Sequence, residues 1–184
     1  MTALETPVPM LQHEREFTEL LDLYRQRAPK RVLEVGTYHG GTLYHWLQNA
    51  HPGTIVVSVD HHVNADNRHL YPDWTRPDVT LNVISGDSTD PFTAASAAAY
   101  APYDWVFIDA DHHDASVRAD WKLYGALAAA GGVVVFHDIS PGPDPAIQVA
   151  PLWAELAASE DTLEIRHADG FGIGIVHIPV RSQA

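Results

Sequence analysis

Two carboxylates and two imidazoles stand where chemistry is readily built. Asp109 closes the apolar run 103–109, His112 comes three residues later, His137 closes the run 132–137 and Asp138 follows it. If these runs are neighbouring parallel strands, Asp109 and Asp138 project from the C-terminal edge, where open α/β sheets bind ligands. Two such carboxylates can share one hard cation. Mg²⁺, which takes oxygen ligands and keeps water positions open, then suits an acceptor bearing vicinal oxygens. His112 titrates near neutral pH and is a suitable general base for a hydroxyl; its plainer reading is as part of a helix cap with Asp111 and His113. A wider set, His61, His62, His112, His113 and His137, all near strand ends, also fits a two-metal hydrolase.

A second constellation is Val32-Leu33-Glu34-Val35-Gly36-Thr37-Tyr38-His39-Gly40-Gly41, a buried strand running through a glycine turn into a helix. Glycines there permit positive φ and close approach of backbone to a ligand. The spacing Gly-x-x-x-Gly departs from the Gly-x-Gly-x-x-Gly of dinucleotide sites. The carboxylate of Glu34 would oppose a pyrophosphate but tolerates a ligand with cationic groups. Asp60 stands about 20 residues beyond the glycines, where an acid accepts ribose hydroxyls, in NAD enzymes as well. Gly86-Asp87-Ser88 is placed either to reach an adenine amine or to form an Asx-capped turn.

Positioning these groups requires a sheet. Residues 11–27 carry Phe17, Leu20, Leu21 and Tyr24 at i, i+3, i+4 and i+7, the period of an amphipathic leading helix. Five strand-like runs, 31–35, 54–60, 79–85, 103–109 and 132–137, alternate with helical patterns at 41–49, 91–100 and 116–130, the last with Val117, Trp121, Tyr124 and Ala128 on one face. The alternation predicts an α/β fold with a parallel, doubly wound sheet. A helix near 151–158 precedes runs 162–166 and 171–178 around the turn residues Ala168, Asp169 and Gly170, which predicts an antiparallel C-terminal hairpin. Residues 61–77 read as a loop with at most a short helix, and 140–145 as a short loop; acceptor specificity is expected in these two.

Composition narrows the field. Hydrophobic residues at 46% and charged ones at 19% over 184 residues describe a globular chain, expected to form a single domain with a leading helix over 1–30, a ligand-binding core over 31–138 and a C-terminal helix and hairpin over 139–184. A net charge of −13, relieved only by Arg25, Arg27, Lys30 and Arg31, argues against nucleic acid and for a small-molecule partner. The absence of cysteine excludes disulfides, thiolate zinc sites and thiol nucleophiles, and fits a cytoplasmic location. No stretch approaches the ~20 apolar residues of a membrane span, and residues 1–10 do not read as a signal peptide, so no membrane partner is expected.

In order along the chain, Glu34-x-Gly36-x-x-x-Gly40, Asp60, Gly86-Asp87, Phe107-Ile108-Asp109-Ala110-Asp111-His112 and Gly131-Gly132-Val133-Val134-Val135-Phe136-His137-Asp138 resemble the class I S-adenosylmethionine-dependent methyltransferases. The resemblance covers residues 31–178 and is specifically to the metal-dependent O-methyltransferases of the catechol, caffeoyl-CoA and macrolide-sugar types. It implies a Rossmann-like fold and S-adenosyl-L-methionine as cofactor. Glu34, Gly36, Thr37, Tyr38 and Gly40 would serve its methionine moiety, Asp60 its ribose, and Gly86, Asp87 and Ser88 its adenine, with Asp109 at the same site. It further implies a divalent metal, Mg²⁺ in the first instance, at Asp109, His137 and Asp138, with His112 as the base, as in the sugar enzymes. The acceptor would be a hydroxyl of a small molecule, sugar or catechol-like, attacking the S-methyl group in line.

The chain departs from those families in having His137 where they carry an acid. Nitrogen ligation of Mn²⁺, Fe²⁺ or Zn²⁺, a place outside the metal's ligand shell, and a lost site are all compatible with that change. An NAD-type oxidoreductase and a non-catalytic adenosyl-binding protein are the competing readings, and Glu34 with the set Asp109, His112 and Asp138 separates them from the first. Without a cap domain, a homodimer closing the acceptor pocket through the leading helix is also compatible.

Overall fold

Phe17, Leu20, Leu21 and Tyr24, the apolar stripe of the first helical pattern, are all buried in helix α1 (Glu14–Arg27). Glu14 in its first turn and Arg25 and Arg27 in its last complement the helix dipole. Ala28, in the left-handed region, ends the helix by donating its N–H to the Tyr24 carbonyl. The computed structural model describes residues 4–61 and 65–180, so the expectation for His62 lies outside the described residues.

Five parallel strands follow, β1 (Arg31–Val35), β2 (Ile55–Asp60), β3 (Thr80–Ser85), β4 (Tyr103–Ile108) and β5 (Ala128–His137), and then the antiparallel pair β6 (Thr162–Ile165) and β7 (Ile173–His177). Their order across the sheet is β3-β2-β1-β4-β5-β7-β6, with β7 antiparallel to β5. This is the predicted doubly wound α/β sheet ending in an antiparallel hairpin. The order reverses between β1 and β4, and at such a switch point the loops diverge and leave a crevice at the strands' C-terminal ends. Register then fixes what lines it. Val35 pairs with both Val59 and Ile108, and Ile108 with Phe136, so the next residues, Gly36, Asp60, Asp109 and His137, fall in one row.

Alternate residues of each strand face opposite layers. On one side α1, α2 (Gly41–Asn49) and α4 (Tyr71–Trp74) pack over Val32, Val56, Trp105 and Val133. Trp46 centres this layer, its ring 5.0 Å from Tyr24 and 5.3 Å from Phe17. On the other side α5 (Pro91–Ala98), α6 (Asp114–Tyr124) and α7 (Val149–Ser159) pack over Leu33, Val57, Val106 and Val134. Among the described residues, no helix is long and apolar enough to cross a membrane.

Two stretches depart from expectation. Residues 116–130 read as one helix, but α6 ends at Tyr124, a 3-10 turn covers Gly125–Leu127, and Ala128 already belongs to β5, paired with Tyr103. The sequence Ala128-Ala129-Ala130-Gly131-Gly132 offers no large side chains to anchor a helix face; Ala128 pairs with β4, and Gly131 N–H and the Gly132 carbonyl bond to the backbone of Ile178 at 2.9 and 3.0 Å. Residues 61–77 hold two four-residue helices, α3 (Ala65–Arg68) and α4, in place of a loop with at most one. Tyr71 and Trp74 drive the second: both are buried, and Trp74 packs against Gly40 and, at 5.6 Å, the Tyr44 ring.

Phe17→Ala removes a fully buried ring from the α1 packing. It should lower the unfolding free energy by about 3–5 kcal/mol, read as a shifted urea midpoint at constant slope. A loss below about 1 kcal/mol would mean that α1 contributes little to the core.

Candidate active site

The site begins with a close approach of two strand ends. Gly36 leaves β1 at φ +93°, and its N–H bonds to the Val59 carbonyl at 2.8 Å. A Cβ on Gly36 would lie 2.1 Å from the carbonyl oxygen of Asp109, so any side chain would drive β1 and β4 apart. From β2, Asp60 Oδ2 accepts the N–H groups of Thr37 and Tyr38, each at 2.7 Å, and locks the turn. Thr37 and Ser58 add a hydroxyl–hydroxyl hydrogen bond beneath it.

Glu34 was expected at the cofactor, but its side chain faces the α2 layer and lines neither of the cavities at the switch point. Fully buried, it accepts hydrogen bonds from Thr42 Oγ1 at 2.5 Å and Trp46 Nε1 at 3.0 Å. Burial pushes its carboxyl up to about 8 against the pull of these donors. It fastens α2 to β1 from beneath the turn. Gly40, at φ +91°, likewise shapes the turn without lining a cavity.

Two cavities open at the switch point and meet at Gly36, Tyr38, Asp109 and Ala110. The first, about 510 Å³, combines an apolar wall of Met10, Leu11, Ile147 and Phe171 with Thr37 and the four residues Asp109, His112, His137 and Asp138. The second, about 470 Å³, brings together Asp60, His61, Asp87, Ser88 and Asp111. Gly86 is not on its wall; a Cβ there would lie 2.4 Å from Thr93 Oγ1, so this glycine lets the end of β3 pack on α5. Asp87 Oδ1 accepts from Thr89 N and Oγ1, both at 2.8 Å, which makes the Asx turn as well as a cavity wall.

The four titratable residues converge tightly. His112 Nε2 lies 3.2 Å from Asp109 Oδ1 and 3.0 Å from Asp138 Oδ2; His137 Nδ1 lies 3.2 and 3.3 Å from the same two oxygens. All four atoms are within 4.8 Å of one another, a spread that fits one ion. Asp138 holds its place at φ +60°, a region that Asp tolerates better than most residues. Hydrogen bonds to Asp109 and Asp138 push the His112 imidazole up to about 10. Burial works against the charged form of His137, but the Asp109 charge and contacts to both carboxylates overcome it and raise its pKa. Burial likewise opposes ionisation of Asp109 and Asp138, yet the imidazoles hold both carboxyls below the ordinary range. The four can stand as ion pairs or, with the imidazoles deprotonated, surround a cation.

Asp111 ties the turn before α6, its oxygens accepting from His113 N at 3.3 Å and Ser116 Oγ at 2.6 Å, and Gln148 Oε1 accepts the first helical N–H, of Asp114, at 3.2 Å, while the His112 ring turns to the carboxylates. His113 pairs with Asp111, and His61 lies on the wall of the second cavity. Among the described residues, then, only His112 and His137 of the histidine set reach Asp109 and Asp138, and the two-metal arrangement is not assembled.

Some site residues carried no sequence signal. Gln12 Nε2 donates to Asp109 Oδ2 at 2.6 Å from 97 residues away. Phe171 sets its ring edge-on 5.8 Å from His137. Its position depends on Glu16, fully buried, whose carboxylate accepts the N–H groups of His167, Phe171 and Gly172 at 2.8, 3.1 and 3.0 Å. The signal available was Glu16 itself, an acid one turn before Leu20 on the apolar face of α1.

A doubly wound sheet closed by a reversed hairpin, with a glycine turn and an acid row at its switch point, defines the Rossmann-like methyltransferase fold. Residues 33–139 match the family model described as a methyltransferase domain, and the chain belongs to that family. Solved structures share the fold at low identity. An O-methyltransferase from Bacillus cereus in complex with SAH is 20% identical, with 88% of this chain and 79% of that one covered at a TM-score of 0.65. The O-methyltransferase TomG from Streptomyces achromogenes, involved in tomaymycin synthesis and solved with SAM, is 20% identical over 92% and 82% at 0.68. MycE from the mycinamycin biosynthetic pathway, with Mg, SAH and mycinamycin VI, is 20% identical over 95% of this chain and 51% of its own, at 0.65. No curated protein sequence matches the chain significantly.

Burial raises the folded-state pKa of Glu34 to about 8, above the unfolded value, which favours the neutral carboxyl at neutral pH. Stability is therefore lost as pH rises from the unfolded carboxylate pKa and levels off above about 8. Glu34→Gln should gain on the wild type by roughly 4 kcal/mol between about pH 4.5 and pH 8.5, measured by urea unfolding across that range. A difference that does not vary with pH would mean that Glu34 is ionised in the fold.

Proposed function

We propose that this chain is an S-adenosylmethionine-dependent O-methyltransferase that methylates a hydroxyl of a small molecule with the help of a divalent cation. The observation that carries this reading is the junction of two cavities at Asp109, one walled by carboxylates and a glycine turn, the other by apolar side chains and the Asp/His cluster. Further support comes from the ligands of the structural neighbours: SAH in the Bacillus cereus protein, SAM in TomG, and Mg, SAH and mycinamycin VI in MycE. The adenosyl ligand is assigned to the second cavity, with Asp60 towards the ribose, Asp87 and Ser88 towards the adenine, and Gly36 and Tyr38 at the reacting end. The acceptor is assigned to the first cavity.

When bound, the adenosyl ligand supplies an electrophilic methyl group and the cation supplies Lewis acidity. The chain's residues do the rest. Met10, Leu11 and Phe171 exclude water and orient the acceptor body, so that aligning oxygen, methyl and sulfur provides most of the acceleration. Asp109, His137 and Asp138 fit a cation through their convergent donor atoms. His112, 34% exposed at the cavity wall, serves as the base: where Asp109 and Asp138 are committed to a cation they no longer hold a proton on Nε2, which then takes that of the hydroxyl and is not itself a ligand.

Calorimetry with SAM, SAH and NAD, each with Mg²⁺ and with EDTA, tests the cofactor class. The adenosyl ligands should bind and NAD should not; binding of NAD, or of none of the three, overturns the proposal. Asp60→Ala should weaken SAH binding at least tenfold. His112→Ala should keep SAH affinity while lowering kcat by about 100-fold or more, against hydroxyl acceptors found by screening. Equal loss of binding and turnover in His112→Ala would mark His112 as structural.

A further inference from the structure

We infer that the cation seat selects a first-row transition ion over Mg²⁺, taken through Nδ1 of His137. This rests on the reading above that the Asp109–Asp138 pair is the cation seat of the reaction site. Around that seat the donors alternate, carboxylate oxygen and imidazole nitrogen, with neighbouring separations of 3.0 to 3.3 Å. The centre of a ring with such edges lies roughly 2.3 Å from each corner, close to the metal–ligand distances of first-row ions. An ion seated towards Asp109, His137 and Asp138 still meets the His137 nitrogen and leaves His112 Nε2 for the hydroxyl proton.

His137 cannot withdraw to leave an all-oxygen site. It closes β5, is 4% exposed on its side chain, and has the Phe171 ring edge-on against it. Nδ1 is the ring nitrogen that faces both carboxylates, so for His137 to take the ion its remaining proton must sit on Nε2, which is buried without a hydrogen-bond partner among the described residues. Oxygen is meanwhile scarce. Asp109 Oδ2 is held by the Gln12 amide at 2.6 Å, and Asp109 and Asp138 are the only carboxylates in the group among the described residues. Mg²⁺ demands oxygen ligands and dehydrates reluctantly, whereas imidazole suits Zn²⁺, Fe²⁺ and Co²⁺.

The test uses the full chain stripped of metal, titrated calorimetrically with Co²⁺, Zn²⁺ and Mg²⁺ with and without SAH. One Co²⁺ per chain should bind about 100-fold more tightly than Mg²⁺. The Co²⁺-loaded protein should show a far-shifted, exchangeable imidazole N–H in its proton NMR spectrum. His137→Asp exchanges the nitrogen donor for oxygen; it should narrow the Co²⁺ to Mg²⁺ preference to about tenfold or less and remove one shifted N–H signal. Mg²⁺ binding within tenfold of Co²⁺ in the wild type, absence of a shifted N–H, or an unchanged preference in a folded His137→Asp would overturn the inference. If that variant does not fold, the two wild-type measurements decide. Loss of SAH binding alongside an intact Co²⁺ preference would sink the methyltransferase reading and spare this one.

Discussion

The ends of β1 and β4 come so close that the space a side chain would need at Gly36 is occupied by the Asp109 carbonyl. That contact is the constraint on which the site depends. It holds the Asp109 N–H on the Val35 carbonyl at 2.8 Å and so places the Asp109 side chain on the partition between the two cavities. Asp60 then pins the turn from the neighbouring strand, and Glu34 pins the following helix from below. A residue serving both cavities follows from sheet geometry before any ligand is considered.

Carboxylates buried in this acidic chain meet different fates, set by the donors within reach. Glu16 receives three backbone N–H groups at the hairpin loop, enough to replace much of its lost hydration. Glu34 receives two side-chain donors, and there desolvation wins, leaving the carboxyl protonated. Asp109 and Asp138 keep their charge because two imidazoles stand against them. The same residue type is a clasp, a neutral hydrogen-bonding strut or a charged seat, according to its neighbours.

Much of this was legible in the sequence. The β-branched and apolar runs located the strands of the sheet to within a few residues, because fully buried strands have few alternative readings. The glycine turn and the positions of Asp109, His112, His137 and Asp138 were legible because strand ends in a doubly wound sheet share one edge. Ala128–His137 lost its first residues to a helical reading because alanine favours helix until a neighbouring strand claims its backbone. Gln12 and Phe171 were invisible because their roles arise only from contacts between distant parts of the chain. Glu34 was located, but its bonds to Thr42 and Trp46 were not legible, because they depend on which face of β1 it occupies.

The Glu16 clasp joins α1 to the loop between β6 and β7, more than 150 residues along the chain. Contacts of such separation form after the loop between them has been closed. The residues of the second cavity lie between Gly36 and Ser116, whereas the first needs Met10 and Gln12 brought against Phe171. During synthesis, the residues of the second cavity emerge together, whereas the first is completed only when the hairpin reaches the N-terminal segment, so the two cavities are completed at different times.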